Sequence, residues 1–162
     1  MLFRPTEAVR SVSEITPEML KKMGIKGLIL DVDNTLAPHN DPIPADGAAE
    51  WISRMKAAGI KLVIVSNNKP PRVAPFAEKL GVEFTANGAK PLPVGFTNAV
   101  KILKLPRRKI CAVGDQIFTD ILGANLFGIK SIFVKPIELE KSLFFRIKRM
   151  AEKPFLPKFR TR

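Results

Sequence analysis

The chain has 162 residues and a formal net charge of +12, because 27 Lys and Arg residues outnumber 15 Asp and Glu residues. This length suffices for one domain with a buried core, and the 46% hydrophobic content fits a globular protein. No apolar run approaches the ~18–20 residues that span a bilayer, and the first residues lack the apolar core of a secretory signal. The charge excess predicts an anionic partner such as nucleic acid, anionic lipid or a phosphorylated ligand, with general solubility as the alternative.

The single cysteine, Cys111, excludes an intrachain disulfide and a multi-cysteine zinc loop. It falls in a predicted strand, where a small core residue is the simplest interpretation. A reducing, cytoplasmic location is therefore expected.

Apolar runs and helix-capping residues alternate along the chain. After an N-terminal arm over residues 1–16, the pattern predicts helices at 17–23, 44–58, 71–80, 93–103 and 119–127. Between them it predicts strands at 28–32, 61–66, 82–85, 110–113 and 131–134. Such alternation with short connections is typical of a three-layer α/β/α fold with a central, mainly parallel sheet. We expect one domain over residues 1–137 and a separate C-terminal segment over 138–162.

The segment that ends the first predicted strand carries two aspartates one residue apart, Asp31 and Asp33, with Thr35 two positions later. Ligands of open α/β sheets bind at the carboxyl ends of the strands, so reactive carboxylates belong there. An Asp-x-Asp pair is also common in turns, and alone it identifies no active site.

Three other strand ends carry polar groups, and a parallel sheet brings them to the same edge. Ser66 and Asn67 follow the second strand, Lys90 precedes a helix, and Asp115 and Asp120 follow the fourth strand. Each group taken alone has an ordinary interpretation as a cap, a turn or a surface loop. Together they are suited to phosphoryl transfer.

Asp31 is the candidate nucleophile, since it can form an aspartyl-phosphate, and Asp33 is the candidate acid that protonates the leaving oxygen and then activates water. The clustered negative charge requires a cation, and Mg²⁺ fits oxygen ligands from Asp31, Asp115 and the backbone carbonyl of Asp33. Asp120 either binds a metal-bound water or holds Lys90, whose charge acts on the transferring phosphoryl group.

Four further polar groups are candidates for contacts with the phosphate. Ser66, together with a backbone N–H at a helix start, is expected to grip the phosphoryl oxygens. The others are Asn34, Thr35 and Asn67. The only histidine, His39, falls in the following loop and is more simply a solvated residue than a catalytic one.

These motifs resemble those of the haloacid dehalogenase superfamily of phosphatases. The four motifs stand here as Asp31-Val32-Asp33-Asn34-Thr35, Ser66, Lys90 and Gly114-Asp115-Gln116-Ile117-Phe118-Thr119-Asp120. The strings over 63–68, 75–81 and 89–93 are similar to the YqeG-type phosphatases of subfamily IIIA, where Asn34 replaces the glycine of many superfamily members. The resemblance implies a Rossmann-like sheet with the nucleophile strand at its centre, Mg²⁺ dependence and an aspartyl-phosphate intermediate.

The spacing between motifs bears on the substrate. The segments from Asp33 to Ser66 and from Ser66 to Lys90 hold one helix each, which leaves no room for a large cap domain. An uncapped site favours a large substrate over a small metabolite, because little would exclude water around it. The YqeG-type group resembles phosphatidylglycerophosphate phosphatases, which makes an anionic lipid headgroup the expected substrate. The alternatives are a nucleic-acid end, a phosphoprotein, a sugar phosphate, or a non-catalytic nucleic-acid or ribosome-associated role.

The C-terminal segment 138–162 is basic and amphipathic. Leu139, Leu143, Phe144, Ile147 and Met150 recur at helical spacing with basic residues between them, and the last ten residues are basic, aromatic and broken by prolines. Such a segment lies on an anionic membrane surface, on the inner face of the membrane here, or packs on the domain as its last helix. Nucleic acid is the less favoured partner, and the sequence does not specify the oligomeric state.

Overall fold

The computed structural model describes residues 1–138 and 142–159, and these are built around a six-stranded parallel sheet. The strands are β1 (Glu7–Val9), β2 (Gly27–Leu30), β3 (Lys61–Val65), β4 (Glu83–Thr85), β5 (Ile110–Gly114) and β6 (Lys130–Val134). Their order across the sheet is β1-β6-β5-β2-β3-β4, and every pair is parallel. The predicted α/β architecture is confirmed, with the strand that leads to Asp31 between β5 and β3.

Helices cover both faces of this sheet. They are α1 (Pro17–Met23), α2 (Ala48–Ala57), α3 (Pro70–Leu80), α4 (Val94–Leu103), α5 (Leu122–Phe127) and α6 (Leu143–Glu152). Successive side chains of a strand point to opposite faces, so Leu28 and Leu30 pack in one core with Trp51, whereas Ile29 packs in the other with Phe96. This double burial explains why the strands are continuous apolar runs.

The N-terminal arm contains a sixth strand that the sequence did not predict. Residues Glu7 and Val9 of β1 pair with Ile132 and Val134 of β6 at the edge of the sheet. The indole Nε1–H of Trp51 donates to the carbonyl of Ile15 at 2.9 Å and ties the end of the arm to α2. Three residues carry too little periodicity for a strand prediction, and the pairing partner lies more than 120 residues away in the chain.

Two predicted helices begin at other residues than expected. The helix predicted from residue 44 begins at Ala48, because residues 44–47 belong to the connection that follows the Asp31 strand, where the N–H of Ala45 donates to the carbonyl of Leu36 at 2.8 Å. The helix predicted from Thr119 begins earlier, with a π-helical turn at Ile117–Ile121 that leads into α5. This wider turn carries Asp120.

The predicted C-terminal helix is present as α6, which begins at Leu143. Beyond it, Phe155 packs on Phe3 with ring centroids 4.7 Å apart, and Phe159 lies 6.3 Å from Phe133. The predicted apolar position Leu139 lies outside the described residues. Within the described ranges, no helix is long and apolar enough to cross a membrane.

The start of α4 lies against the loop that carries Lys90. Gly95 donates its N–H to the carbonyl of Gly88 at 3.2 Å, and a Cβ at Gly95 would lie 2.7 Å from Val65 Cγ1 and 2.9 Å from that carbonyl oxygen. Glycine at this position therefore allows the close approach of helix, loop and β3.

We expect Gly95→Ala to destabilise the protein by about 1–3 kcal/mol, because the added methyl group overpacks a site bounded by backbone. Urea unfolding measures this change. Asn98→Ala on the exposed side of α4 is the matched control and should stay within about 0.5 kcal/mol of the unaltered protein. Equal stabilities of the two variants would contradict the tight packing at Gly95.

Candidate active site

The strand ends meet in one pocket of about 250 Å³. Five of the predicted site residues line it: Asp31, Asp33, Ser66, Asn67 and Lys90. The pocket also includes residues that the sequence did not single out as site residues, which are Asn68, Gln116, Thr119, Phe144, Phe145 and Lys148, and it includes His39. The parallel sheet has therefore brought segments that are distant in the chain to one edge, as the motif spacing predicted.

Lys90, one of the lining residues, lies between two carboxylates. Its Nζ is 2.9 Å from Asp31 Oδ1 and 2.6 Å from Asp120 Oδ1, and the residue is only 7% exposed. Asp120 is buried as well. A buried ammonium group that contacts two carboxylates is held in one position by both of them, which fixes its charge next to the candidate nucleophile.

Three carboxylates form a group that fits a divalent cation. Oxygen atoms of Asp31, Asp115 and Asp120 lie within 4.8 Å of one another. The hydroxyl oxygen of Thr35 lies 3.4 Å from Asp31 Oδ2 and 3.3 Å from Asp115 Oδ1. Hard oxygen ligands in this number are the donor set of Mg²⁺ and similar cations. Thr35 was predicted to contact phosphate, and its hydroxyl bridges these two carboxylates.

Burial and mutual repulsion keep negative charge costly at this site. Burial raises the pKa of Asp31 to about 6, and the charge of Asp120 adds to this effect while Lys90 opposes it. Burial also raises the pKa of Asp115, with a further contribution from Asp31. For Lys90, burial alone would lower the pKa, but the charges of Asp120 and Asp31 outweigh it and raise the pKa. A bound cation would relieve the repulsion among the carboxylates.

Asp33 has a separate set of partners. Its carboxylate accepts hydrogen bonds from the N–H of Asn40 at 2.7 Å and from the side-chain amide of Asn68. Arg72 Nη2 of α3 forms an ion pair with it at 3.0 Å. Neither Asn68 nor Arg72 was predicted as a site residue. The position of Asn68 directly after the Ser66 strand was a usable signal, whereas Arg72 reaches Asp33 from helix α3. These contacts hold the Asp33 carboxylate at the pocket, apart from the three-carboxylate group.

Ser66 and Asn67 make different contacts: the Ser66 hydroxyl lines the pocket, and the Asn67 side chain also holds the backbone of Lys90. The N–H of Asn68 donates to Ser66 Oγ at 3.1 Å, and the buried hydroxyl lines the pocket. The Asn67 side chain bonds the backbone of Lys90 twice, accepting from its N–H at 2.7 Å and donating to its carbonyl at 3.1 Å. Asn67 therefore positions the Lys90 loop, besides the phosphate contact predicted for it.

The backbone geometry explains the residue types at two motif positions. Asn34 has a φ of 60°, in the left-handed region where asparagine and glycine are the favoured residues, and its Oδ1 accepts from the N–H of Glu138 at 3.3 Å. At Gly114, a Cβ would collide with the carboxyl group of Asp120. The left-handed backbone at position 34 therefore accepts Asn34 in place of the glycine that the resemblance to the superfamily leads one to expect there.

Helix α6 forms one wall of the pocket through Phe144, Phe145 and Lys148, and its basic residues bond the loop after β5. Lys148 Nζ donates to Gln116 Oε1 at 2.6 Å, and Arg149 bonds both the carboxylate and, at 2.7 Å, the carbonyl oxygen of Asp115. The His39 ring lies 5.1 Å from that of Phe145. The sequence pattern leaves open whether α6 lies on a membrane or packs on the domain, because periodicity alone does not tell which side of an amphipathic helix faces the domain.

A larger groove lies elsewhere on the molecule. It encloses about 820 Å³ between residues 1–8 and 154–158. Arg4, Glu7 and Lys158 are its charged residues, so it has no group of carboxylates comparable to the pocket. The volume of a cavity therefore does not identify the candidate active site, whereas the convergence of charged side chains does.

Comparison with known proteins agrees with this site. The chain matches the sequence profile of the haloacid dehalogenase-like hydrolases over residues 39–128 and that of the mitochondrial phosphatidylglycerophosphate phosphatases over residues 1–75. The chain belongs to the haloacid dehalogenase-like hydrolases. Within this family the sequence-based assignment to the YqeG-like phosphatases is confirmed.

Two curated relatives and one solved structure define the similarity. The chain is 39% identical to the probable phosphatase YqeG of Bacillus subtilis, over 95% of this chain and 90% of that protein. It is 33% identical to the mitochondrial phosphatidylglycerophosphatase GEP4 of Saccharomyces cerevisiae, over 68% of this chain and 67% of that protein. The crystal structure of a 4-nitrophenylphosphatase from Thermotoga maritima has a TM-score of 0.61 at 13% identity, over 74% of this chain and 89% of that chain, which supports the fold alone.

The raised pKa of Asp31 predicts a measurable effect on stability. The folded-state pKa of about 6 exceeds the ordinary value of 3.8, so the folded protein binds more protons between these values and metal-free stability falls as pH rises from about 4 to about 6. We expect Asp31→Asn to stabilise the metal-free protein near neutral pH by about 1–3 kcal/mol. Urea unfolding in chelator, repeated across this pH range, measures the change.

Asp46→Asn is the control for this experiment, since Asp46 is exposed and lies outside the pocket. The gain from Asp31→Asn should shrink as the pH falls from about 6 toward 4, because the Asp31 carboxyl group of the folded protein becomes protonated over this range. A variant that is less stable than the unaltered protein near pH 7 would show that the Asp31 charge is net favourable, contrary to this prediction.

Proposed function

We propose that the protein is a Mg²⁺-dependent phosphomonoester hydrolase that acts through an aspartyl-phosphate and removes the terminal phosphate of phosphatidylglycerophosphate at a membrane surface. The observation that carries the chemistry is the buried Lys90, held between Asp31 and Asp120 at a pocket that Asp33 and Ser66 also line. The candidate nucleophile Asp31, the candidate acid Asp33 and the positively charged Lys90 thus line the same small pocket.

In the first step an Asp31 oxygen attacks phosphorus while the bond between phosphorus and the ester oxygen breaks. The departing oxygen takes a proton from the carboxyl group of Asp33 and leaves as the alcohol. In the second step Asp33 takes a proton from water, and the water oxygen attacks the phosphorus of the aspartyl-phosphate. Inorganic phosphate leaves and the Asp31 carboxylate is restored.

The other site residues stabilise charge during these steps. Lys90 keeps a positive charge next to Asp31, and the Ser66 hydroxyl is available to donate to a phosphoryl oxygen. Asn34, Thr35 and Asn67 support the loops around the phosphate. Asp31, Asp115 and the carbonyl oxygen of Asp33 would hold Mg²⁺, with Asp120 behind them, and the ion supplies positive charge that offsets the carboxylates and the phosphate.

The choice of a lipid substrate has separate support. The matched profile over residues 1–75 and the relative GEP4 both carry the name of phosphatidylglycerophosphate phosphatases. The net charge of +12 favours association with anionic lipid. We place the protein on the cytoplasmic face of a membrane as a peripheral protein, held there by the segment 138–162.

A soluble phosphate ester is the second candidate substrate. A glyceraldehyde 3-phosphate phosphatase of Pyrococcus abyssi is 26% identical to the chain over 66% of this chain and 48% of that protein. A pocket of about 250 Å³ holds a small sugar phosphate as readily as a glycerophosphate headgroup. Nucleic-acid ends and phosphoproteins have weaker support, and the complete set of Asp31, Asp33, Lys90 and Asp115 argues against a purely non-catalytic binding role.

The test is phosphate release from phosphatidylglycerophosphate in mixed micelles with Mg²⁺, compared with an aryl phosphate, sugar phosphates and nucleotides. We expect preference for the lipid, loss of activity in chelator, and a fall of about 10³-fold or more in kcat for Asp31→Asn, because the attacking oxygen is removed.

Asp46→Asn is again the matched control and should retain activity, since it removes an exposed carboxylate outside the pocket. Activity on sugar phosphates without activity on the lipid would keep the chemistry and replace the substrate. Full activity of Asp31→Asn would rule out Asp31 as the nucleophile.

A further inference from the structure

Helix α6 contacts the domain through its polar side. Lys148 bonds Gln116, Arg149 bonds Asp115, and the buried carboxylate of Glu152 accepts from the N–H of Phe118 at 3.2 Å. These contacts all fall on the loop and π-helical turn that follow β5. The inner side of α6 is thus fixed by charge and hydrogen bonding.

The apolar side of the same helix faces outward. We call it the α6 apolar face, and its members are Leu143, Phe144, Ile147 and Met150. They are 72%, 71%, 58% and 65% exposed. A surface helix of a globular protein ordinarily turns its apolar side to the core, and α6 has the opposite orientation. Four large apolar side chains on one exposed helical face mark a surface that binds something.

Charge identifies the occupant as anionic. Arg146 and Lys153 are exposed beside the α6 apolar face, whereas the one acidic residue of α6, Glu152, is buried on the opposite side. A second copy of the chain would bring like charges together across this face. A bilayer with anionic lipids accepts both the apolar side chains and the flanking cations.

The α6 apolar face also borders the active site, because Phe144 belongs to the face and lines the pocket. We propose that the α6 apolar face is the surface by which the protein docks on an anionic lipid bilayer, with the pocket mouth turned toward the lipid headgroups. The inference rests on the proposed function in that it names the partner surface of that same site. Docking is thereby assigned to α6 and not to the tail that follows it, which contains Pro154 and Pro157.

The test compares one triple and one double serine variant in co-sedimentation with vesicles. Leu143→Ser/Ile147→Ser/Met150→Ser alters the face and leaves Phe144 at the pocket and all residues from 153 onward. The matched control is Ile43→Ser/Leu126→Ser, which alters exposed apolar residues at 66% and 59% exposure elsewhere. Vesicles of phosphatidylcholine with a minority of phosphatidylglycerol are the probe, and thermal unfolding checks that both variants fold.

We expect the α6 variant to lose vesicle association by about tenfold or more and the control to keep it. Undiminished binding of the α6 variant would overturn the proposal and assign docking to the tail. Dimerisation of the unaltered protein through this face, without vesicle binding, would overturn it in favour of a second copy. Failure of the unaltered protein to hydrolyse any phosphate ester would refute the proposed function and leave the docking result standing.

A second inference comes from a different contact, the ion pair of Arg149 with Asp115. The guanidinium group bonds the Asp115 carboxylate with Nη2 and the Asp115 carbonyl with Nη1, and Nη1 also lies 3.3 Å from Glu152 Oε2. Asp115 is fully buried and belongs to the three-carboxylate group. A cation that binds there must share the Asp115 carboxylate with Arg149 and is repelled by the positive charge of the guanidinium group.

We infer that Arg149 competes with a divalent cation for the Asp115 carboxylate and lowers the affinity of the carboxylate group for that cation. Mn²⁺ serves as the probe, and its free concentration is read by electron paramagnetic resonance, so the measurement does not depend on turnover. We expect Arg149→Gln to tighten Mn²⁺ binding by about tenfold, since one nearby positive charge is removed.

Arg146→Gln is the matched control, because it removes the same charge from the exposed side of the same helix. It should change Mn²⁺ affinity by less than about twofold, since exposed charges are screened. Weaker or unchanged Mn²⁺ binding by Arg149→Gln would overturn the inference and indicate that Arg149 holds Asp115 in its ligating position.

Discussion

The constraint on which this structure depends is the repulsion among carboxylates buried at one edge of the sheet. Asp31, Asp115 and Asp120 would not stay ionised together without compensating charge. Lys90 supplies it to Asp31 and Asp120 through contacts at 2.9 and 2.6 Å, and Arg149 supplies it to Asp115. The pairing of β2 with β5 places Asp31 beside Asp115, and Asn67 fixes the backbone of Lys90. The fold therefore maintains an arrangement that is unfavourable electrostatically and useful chemically, which is common at active sites.

Helix α6 forms part of the pocket wall, so the site is narrower than the lack of room for a large cap domain would suggest. Within the described residues, no separate domain lies over the pocket, yet Phe144, Phe145 and Lys148 form part of its wall. The pocket is consequently small, about 250 Å³, while its outer border is an exposed apolar helix. This geometry is compatible with the proposed lipid substrate, whose phosphate would enter a narrow space while the remainder of the ester stays at a surface.

The sequence predicted the residues that follow strands and missed those that reach the site from elsewhere. Asp31, Ser66 and Asp115 could be placed because parallel strands bring their carboxyl ends to one edge whatever the length of the helices between them. Arg72 and Arg149 could not, because they act through long side chains on helices whose facing depends on tertiary packing. The short strand β1 escaped prediction for a related reason, since three residues at an edge are stabilised by a partner distant in the chain. The presence of the helices was predicted well, whereas the amphipathic pattern of α6 left open whether its apolar side packs on the domain or faces outward.

This division between strand ends and helix surfaces bears on how substrates are distinguished. In the proposed mechanism, attack, protonation and charge compensation require only the groups at the strand ends, and these act on the phosphate, which every phosphate monoester carries. The remainder of an ester lies outside their reach. Discrimination must then come from the residues around the pocket mouth, here His39 in the loop after β2 and Phe144, Phe145 and Lys148 on α6. Both elements can change without disturbing the carboxylates or Lys90, so the same chemistry is compatible with lipid and soluble esters.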